Sequence, residues 1–142
     1  NMFYGCTSLV SAPALPATVL ADRCYYSMFL ECTSLVNVPK ILPATTLANS
    51  CYEYMFYRCI SLVTAPELPA TTLATRCYYS MLRFCSNLKN VTCLATDISA
   101  SSCTTEWLKY VASKGTFNKA SGFNGWSTGV NGIPSGWTVN EK

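Results

Sequence analysis

The chain spells one pattern repeatedly, and that recurrence constrains its fold more than any other feature. Cys6, Cys32, Cys59 and Cys85 stand 26, 27 and 26 residues apart, each followed three places later by a leucine: Leu9, Leu35, Leu62 and Leu88. A second column runs Cys24, Cys51, Cys77 and Cys103, and Met28, Met55 and Met81 lie between the two, with Trp107 in the fourth place. The one insertion falls at "PKILP" in the second copy. Self-similarity at this period means stacked units, each unable to bury its apolar side until a neighbour covers it.

Within a unit, Leu20, Cys24, Met28 and Cys32 recur every four residues, as do Leu47, Cys51, Met55 and Cys59. This spacing predicts one apolar stripe on a helix, and Thr45 or Thr46 is placed to cap its first amides. After each C-x-x-L comes a short β-branched stretch such as Leu35-Val36-Asn37-Val38, then Pro39, so each strand is expected to be very short. Strands stacked about 4.8 Å apart against helices wanting about 8 to 10 Å would bend the stack into an arc.

The segments "MFYGCTSL", "MFLECTSL" and "MFYRCISL", followed by "LPATTLA", resemble the BspA-type leucine-rich repeat of bacterial surface proteins. The match covers residues 2 to 108 and departs from the common pattern in having Met-Phe where that family has Ala-Phe. The expected fold class is thus an α/β solenoid: a curved leucine-rich-repeat stack of about four units (about 2–27, 28–54, 55–80 and 81–108), with short parallel strands and outer helices. The resemblance further implies a cell-surface or secreted protein used in adhesion, with a protein ligand on a host or neighbouring cell.

In the fourth copy Pro13, Pro39 and Pro66 give way to Thr92, and Pro16, Pro43 and Pro69 give way to Ala95. Beyond Leu108 the period is lost, and residues 109–142 hold six of the seven glycines with Phe117, Phe123, Trp126 and Trp137. This stretch is expected to be an irregular C-terminal cap. The chain opens in mid-repeat at "NMFYGC", which leaves Met2, Phe3 and Leu9 near an edge expected to be covered by upstream sequence or by self-association. A missing leader says nothing about location.

Nine cysteines would suit a disulfide scaffold, but the number is odd and the spacings follow the repeat. On a helix, residues eight apart lie about 12 Å from one another, and neighbouring helices are also too distant for a bridge. Local pairs are C-x7-C, which does not suit structural zinc, so no metal or other cofactor is expected and free buried thiols are. Cys93 aligns with Ala14, Lys40 and Glu67 and is expected to face solvent as the one reactive thiol.

The chain has no histidine, which removes the commonest general base and metal ligand. Its carboxylates fall in columns filled differently elsewhere: Asp22 aligns with Asn49 and Thr75, Glu31 with Gly5 and Arg58, and Glu53 with Tyr26 and Tyr79. No spacing marks a catalytic pair, and no glycine-rich phosphate loop occurs, so a non-enzyme is expected. A net charge of +3 without basic runs argues against nucleic acid. No apolar run is long enough to cross a membrane as a helix.

Recognition is the remaining role. Columns that vary while their neighbours stay constant mark exposed positions on a regular scaffold. On the strand side these are Ser11, Asn37, Thr64 and Asn90, with Lys40 and Glu67 beside them, and they form the expected ligand-binding strip. Tyr25, Tyr26, Tyr52, Tyr54, Tyr78 and Tyr79 cluster on the other side, where rings could stack on a glycan as the alternative ligand. A structural spacer that positions another domain is the competing role.

Overall fold

Residues 21–32 carry the four-residue stripe, yet they fold as a ribbon of turns in the computed structural model, which describes residues 1–142. Alternate amides do two different jobs. Those of Cys24, Tyr26, Met28, Leu30 and Cys32 donate three residues back, to Ala21, Arg23, Tyr25, Ser27 and Phe29. Those of Arg23, Tyr25, Ser27, Phe29 and Glu31 donate to the next coil, at the carbonyls of Asn49, Cys51, Glu53, Met55 and Tyr57, over 2.7–3.0 Å. The second coil repeats the scheme onto the third, and the third onto the fourth.

This ribbon needs a left-handed residue every fourth position. Arg23, Ser27 and Glu31 have φ of 58°, 52° and 61°, and the same three places are left-handed in each later coil up to Ser102, Glu106 and Tyr110. Gly5 occupies one of these columns. The expected helices are therefore replaced: the chain contains no helix, and its named elements are three short parallel strands. The leucine-rich-repeat solenoid with outer helices is overturned. The physical reason lies in the period, since four residues advance an α-helix by about 400°, so a strict four-residue stripe would drift by about 40° at each step. A ribbon whose unit is itself four residues keeps the stripe straight.

Thr45 and Thr46 cap nothing; their amides donate to the Thr18 carbonyl one coil back. Because the ribbon side is hydrogen-bonded from coil to coil just as the strand side is, the two sides share one spacing. The mismatch that was expected to bend the stack has no source.

On the strand side, parallel pairing shrinks to single bridges in the early coils, such as Ser11 with Asn37, where Pro13, Pro39 and Pro66 interrupt it. The fourth coil lacks that proline, and there β1, Asn90–Cys93, forms a continuous strand. The strands β2, Thr116–Lys119, and β3, Thr138–Glu141, join it in the order β1-β2-β3, with Asn90 opposite Thr116 and Thr116 opposite Thr138. Residues 109–142 thus extend the strand column as well as covering the ribbon. Trp126 stacks on Trp107 at 5.3 Å, and the Trp107 indole N–H donates to the Gly132 carbonyl at 2.8 Å. Gly115 is required by close approach, for a Cβ there would lie 2.6 Å from the Trp137 ring.

The interior consists of columns. Phe3, Phe29 and Phe56 stack at 5.3 and 5.5 Å, and Tyr25, Tyr52, Tyr78 and Trp107 at 5.8, 6.0 and 5.8 Å. The recurring cysteines have a specific role, since the thiols of Cys32, Cys59 and Cys85 donate to the carbonyls of Phe3, Phe29 and Phe56 at 3.0, 3.2 and 3.1 Å. A side chain small enough for the column and able to donate is what cysteine supplies. Between the second and third coils, Glu53 is buried and is held by Arg76 at 2.6 and 3.1 Å.

The left-handed columns make a test. Ser102 is exposed at φ 52°, so Ser102→Ile, which touches no core, should cost about 1–2 kcal/mol while Ser102→Gly costs nothing measurable. Urea titration reads both, and far-UV circular dichroism of the parent should lack the helical double minimum. A helical spectrum would overturn the turn ribbon.

Candidate functional site

The strand side gathers most of the residues expected to bind. Ser11 pairs with Asn37 and Thr64 with Asn90 as parallel bridges, and the side chains follow the backbone: the Asn37 amide donates to the Ser11 hydroxyl at 3.1 Å, and the Asn90 amide to the Thr64 hydroxyl at 3.3 Å. β2 continues the same scheme two residues along, with Asn118 donating to Thr92 at 3.1 Å. Parallel strands in register put like positions above one another, which is why a repeat of sequence becomes a ladder of side chains.

Lys40 is exposed close to this ladder. Asn37, Lys40 and Thr64 line one open groove of about 360 Å³, whose apolar floor includes Val36, Val38, Pro39 and Ala65. Glu67 does not join them as a free group: it is paired with Lys142, which follows β3, and its backbone pairs with Ile41.

Cys93 is in a different place from the one expected. It is fully buried, and its bridge partner is Leu68, so it occupies the column of Leu15, Leu42 and Leu68 rather than that of Lys40 and Glu67. The fourth copy is one residue shorter between its C-x-x-L leucine and this column, so Leu94 takes the position of Pro69 and Ala95 that of Ala70. Burial pushes the Cys93 thiol up to about 12, which makes it inert. The exposed thiols are Cys6 and Cys24 instead.

The distance argument for free thiols also changes. Cysteines of one column in adjacent coils are separated by roughly the sheet spacing of about 4.8 Å, which does not forbid a bridge. All nine are nonetheless free, and five of the buried thiols, those of Cys32, Cys59, Cys77, Cys85 and Cys103, are engaged as donors to carbonyls. No group of three metal-binding side chains stands together.

On the ribbon side the tyrosines divide. Tyr52 and Tyr78 are buried in the stack, while Tyr26, Tyr54 and Tyr79 meet edge to face at 5.9 and 5.7 Å on the outside. Arg23 and Arg76 lie over the Tyr26 and Tyr79 rings at 4.2 and 3.8 Å, so guanidinium groups cover one face of each of these rings.

The strand face also carries a row that the sequence did not single out. Val10, Val36 and Val63 are 50, 49 and 43% exposed, in equivalent positions of three coils directly before the polar column. The signal was present as a valine after three of the four C-x-x-L leucines, Lys89 standing in the fourth place, but strand propensity accounted for it equally well.

Compared with known proteins, the chain matches no family model, no curated protein and no solved structure.

The thiols lead to two expected outcomes. With a chromogenic disulfide reagent, the native chain should react quickly at two thiols and at nine once denatured; fast reaction of a Cys6→Ser, Cys24→Ser variant would place a further thiol at the surface. Burial raises Cys51, Cys85 and Cys93 from an ordinary value near 9 to about 11, 12 and 12. Above pH 9 the unfolded chain loses these protons and the folded chain keeps them, so stability present at neutral pH falls as pH rises from about 9 toward 12. Thermal melting at pH 7, 9 and 10.5 should show a progressive drop.

Proposed function

We propose that this chain is a non-catalytic recognition module that holds its ligand against the strand face. The observation that carries the reading is the set Val10, Val36 and Val63, exposed at equivalent positions of three coils and each directly before a member of the Ser, Asn and Thr ladder. Single exposed apolar residues need no explanation, but a repeated set with a polar border marks a surface made for contact. The groove of about 360 Å³ gives that surface relief. Resemblance of the C-x-x-L motifs to bacterial surface proteins supports action at the cell surface or after secretion, in adhesion to another cell or its matrix, as a reading by analogy.

A spacer role has its own supporting observation. The Asn37 and Asn90 amides each donate one N–H to Ser11 and Thr64, bonds that stiffen the stack whether or not a ligand comes.

The two are separated by displaying the chain on beads and measuring retention on cells and matrix-coated surfaces. Val36→Ser with Asn37→Ala should weaken retention about tenfold or more while the melting temperature moves by only a few degrees. Retention unchanged by this pair, or none by the parent chain, would leave the spacer role.

A further inference from the structure

We infer that the ligand of the strand face is a neutral, hydroxyl-rich polymer, a polysaccharide chain lying along the stack; this rests on the recognition reading above and narrows its ligand. The parallel register converts the polar column into a grid. One line runs as two ladders on either side of the groove, Ser11 with Asn37 and then Thr64, Asn90, Thr116 and Thr138, the last three placed opposite one another by β1, β2 and β3. A second line, two residues further along each strand, runs Thr92, Asn118 and Asn140. Residues two apart on a strand share a face, and between the lines Val91 and Phe117 are fully buried, so both lines point outward together.

Every member of the grid is an amide or a hydroxyl. No charge stands in either line, so it offers nothing to draw a sulfated glycan, an acidic peptide or a nucleic acid in preference to a neutral one. Nor does either line carry an aromatic residue or arginine, the anchors that dominate protein interfaces; the four arginines of the chain are Arg23, Arg58, Arg76 and Arg83, all on the ribbon segments. What the grid does carry is bonding capacity in both directions. An asparagine that donates one N–H to its neighbour keeps a second N–H and its carbonyl, and a hydroxyl that accepts keeps its own proton to donate. The ladder bonds therefore hold the groups in place without exhausting them, which lowers the entropy cost of binding.

The geometry suits a polymer rather than an isolated sugar. Paired strands follow one another at about 4.8 Å, close to the length of one extended β-linked sugar residue, so a chain running along the stack would meet a hydroxyl or amide of the first line at each paired strand. Its C–H surfaces would rest on the floor of the groove at Val36, Val38, Pro39 and Ala65.

The test is affinity electrophoresis of the intact chain through gels holding a soluble mixed-linkage β-glucan, a galactomannan or heparin. Thr116 and Thr138 take no part in the ladder bonds, so Thr116→Val with Thr138→Val removes two hydroxyls at nearly constant volume, and Asn140→Asp adds a charge to the grid. Retardation is expected in at least one neutral gel and little in heparin, weakened about tenfold by the double threonine variant and also by Asn140→Asp, with melting temperatures preserved. No retardation in either neutral gel, equal retardation of parent and variants, or retardation by heparin alone would overturn the proposal. Should beads adhere to protein-coated surfaces through Val36 and Asn37 while no gel retards the chain, the ligand class is overturned and the recognition reading stands.

Discussion

Everything in this protein depends on a peptide hydrogen bond made from one coil to the next on every side of the coil. On the strand side that is the ordinary parallel pairing. On the ribbon side it is achieved by turns that free every second amide to point along the stack, and it costs three left-handed residues per coil, about 3–6 kcal/mol in all. The five cross-coil bonds of a ribbon return a net of about 3–8 kcal/mol, so the backbone alone roughly breaks even. The columns of Tyr, Met, Phe and Cys that the ribbon turns inward decide the matter, because their burial is available only when the next coil is in register.

This arrangement explains features that otherwise look unrelated. Cys32, Cys59 and Cys85 are donors to phenylalanine carbonyls of the preceding coil, which is a role a disulfide scaffold would not need. Trp107 ends the methionine column because its ring can stack on Tyr78 on one side and Trp126 on the other while its N–H reaches Gly132. The glycines of the tail make room: a Cβ at Gly115 would meet the Trp137 ring, and one at Gly132 would collide with the Ser127 carbonyl. Only 6 of 76 backbone hydrogen bonds lie within the named strands, so the regularity of the molecule is one of stacking rather than of long secondary structure.

The candidate site follows from the same constraint. Register pairs Ser11 with Asn37 and Thr64 with Asn90, and the structure prolongs that column through Thr116, still 26 residues on, and Thr138, which comes only 22 residues later. Glu67, by contrast, is claimed by Lys142 from the far end of the chain, a pairing between residues 75 apart that no local pattern announces. Cys93 shows how a single missing residue misleads column reading. Counting from Leu88 puts it beside Glu67, whereas packing slides it into the leucine column, since an apolar side chain there fills a hole and one at the surface does not.

From the residues alone came the period, the inward columns that include Cys51, Met55 and Cys59, and the shortness of strands ended by proline. These are matters of composition at fixed spacing, and stacking reads them directly. The choice between helix and turn ribbon was made only in three dimensions: both place residues i and i+4 on one face, and the sequence pattern is nearly the same for each. What separates them is where the amides of Arg23, Ser27 and Glu31 find acceptors, within their own segment or on the neighbouring coil, and that depends on a partner 26 residues away.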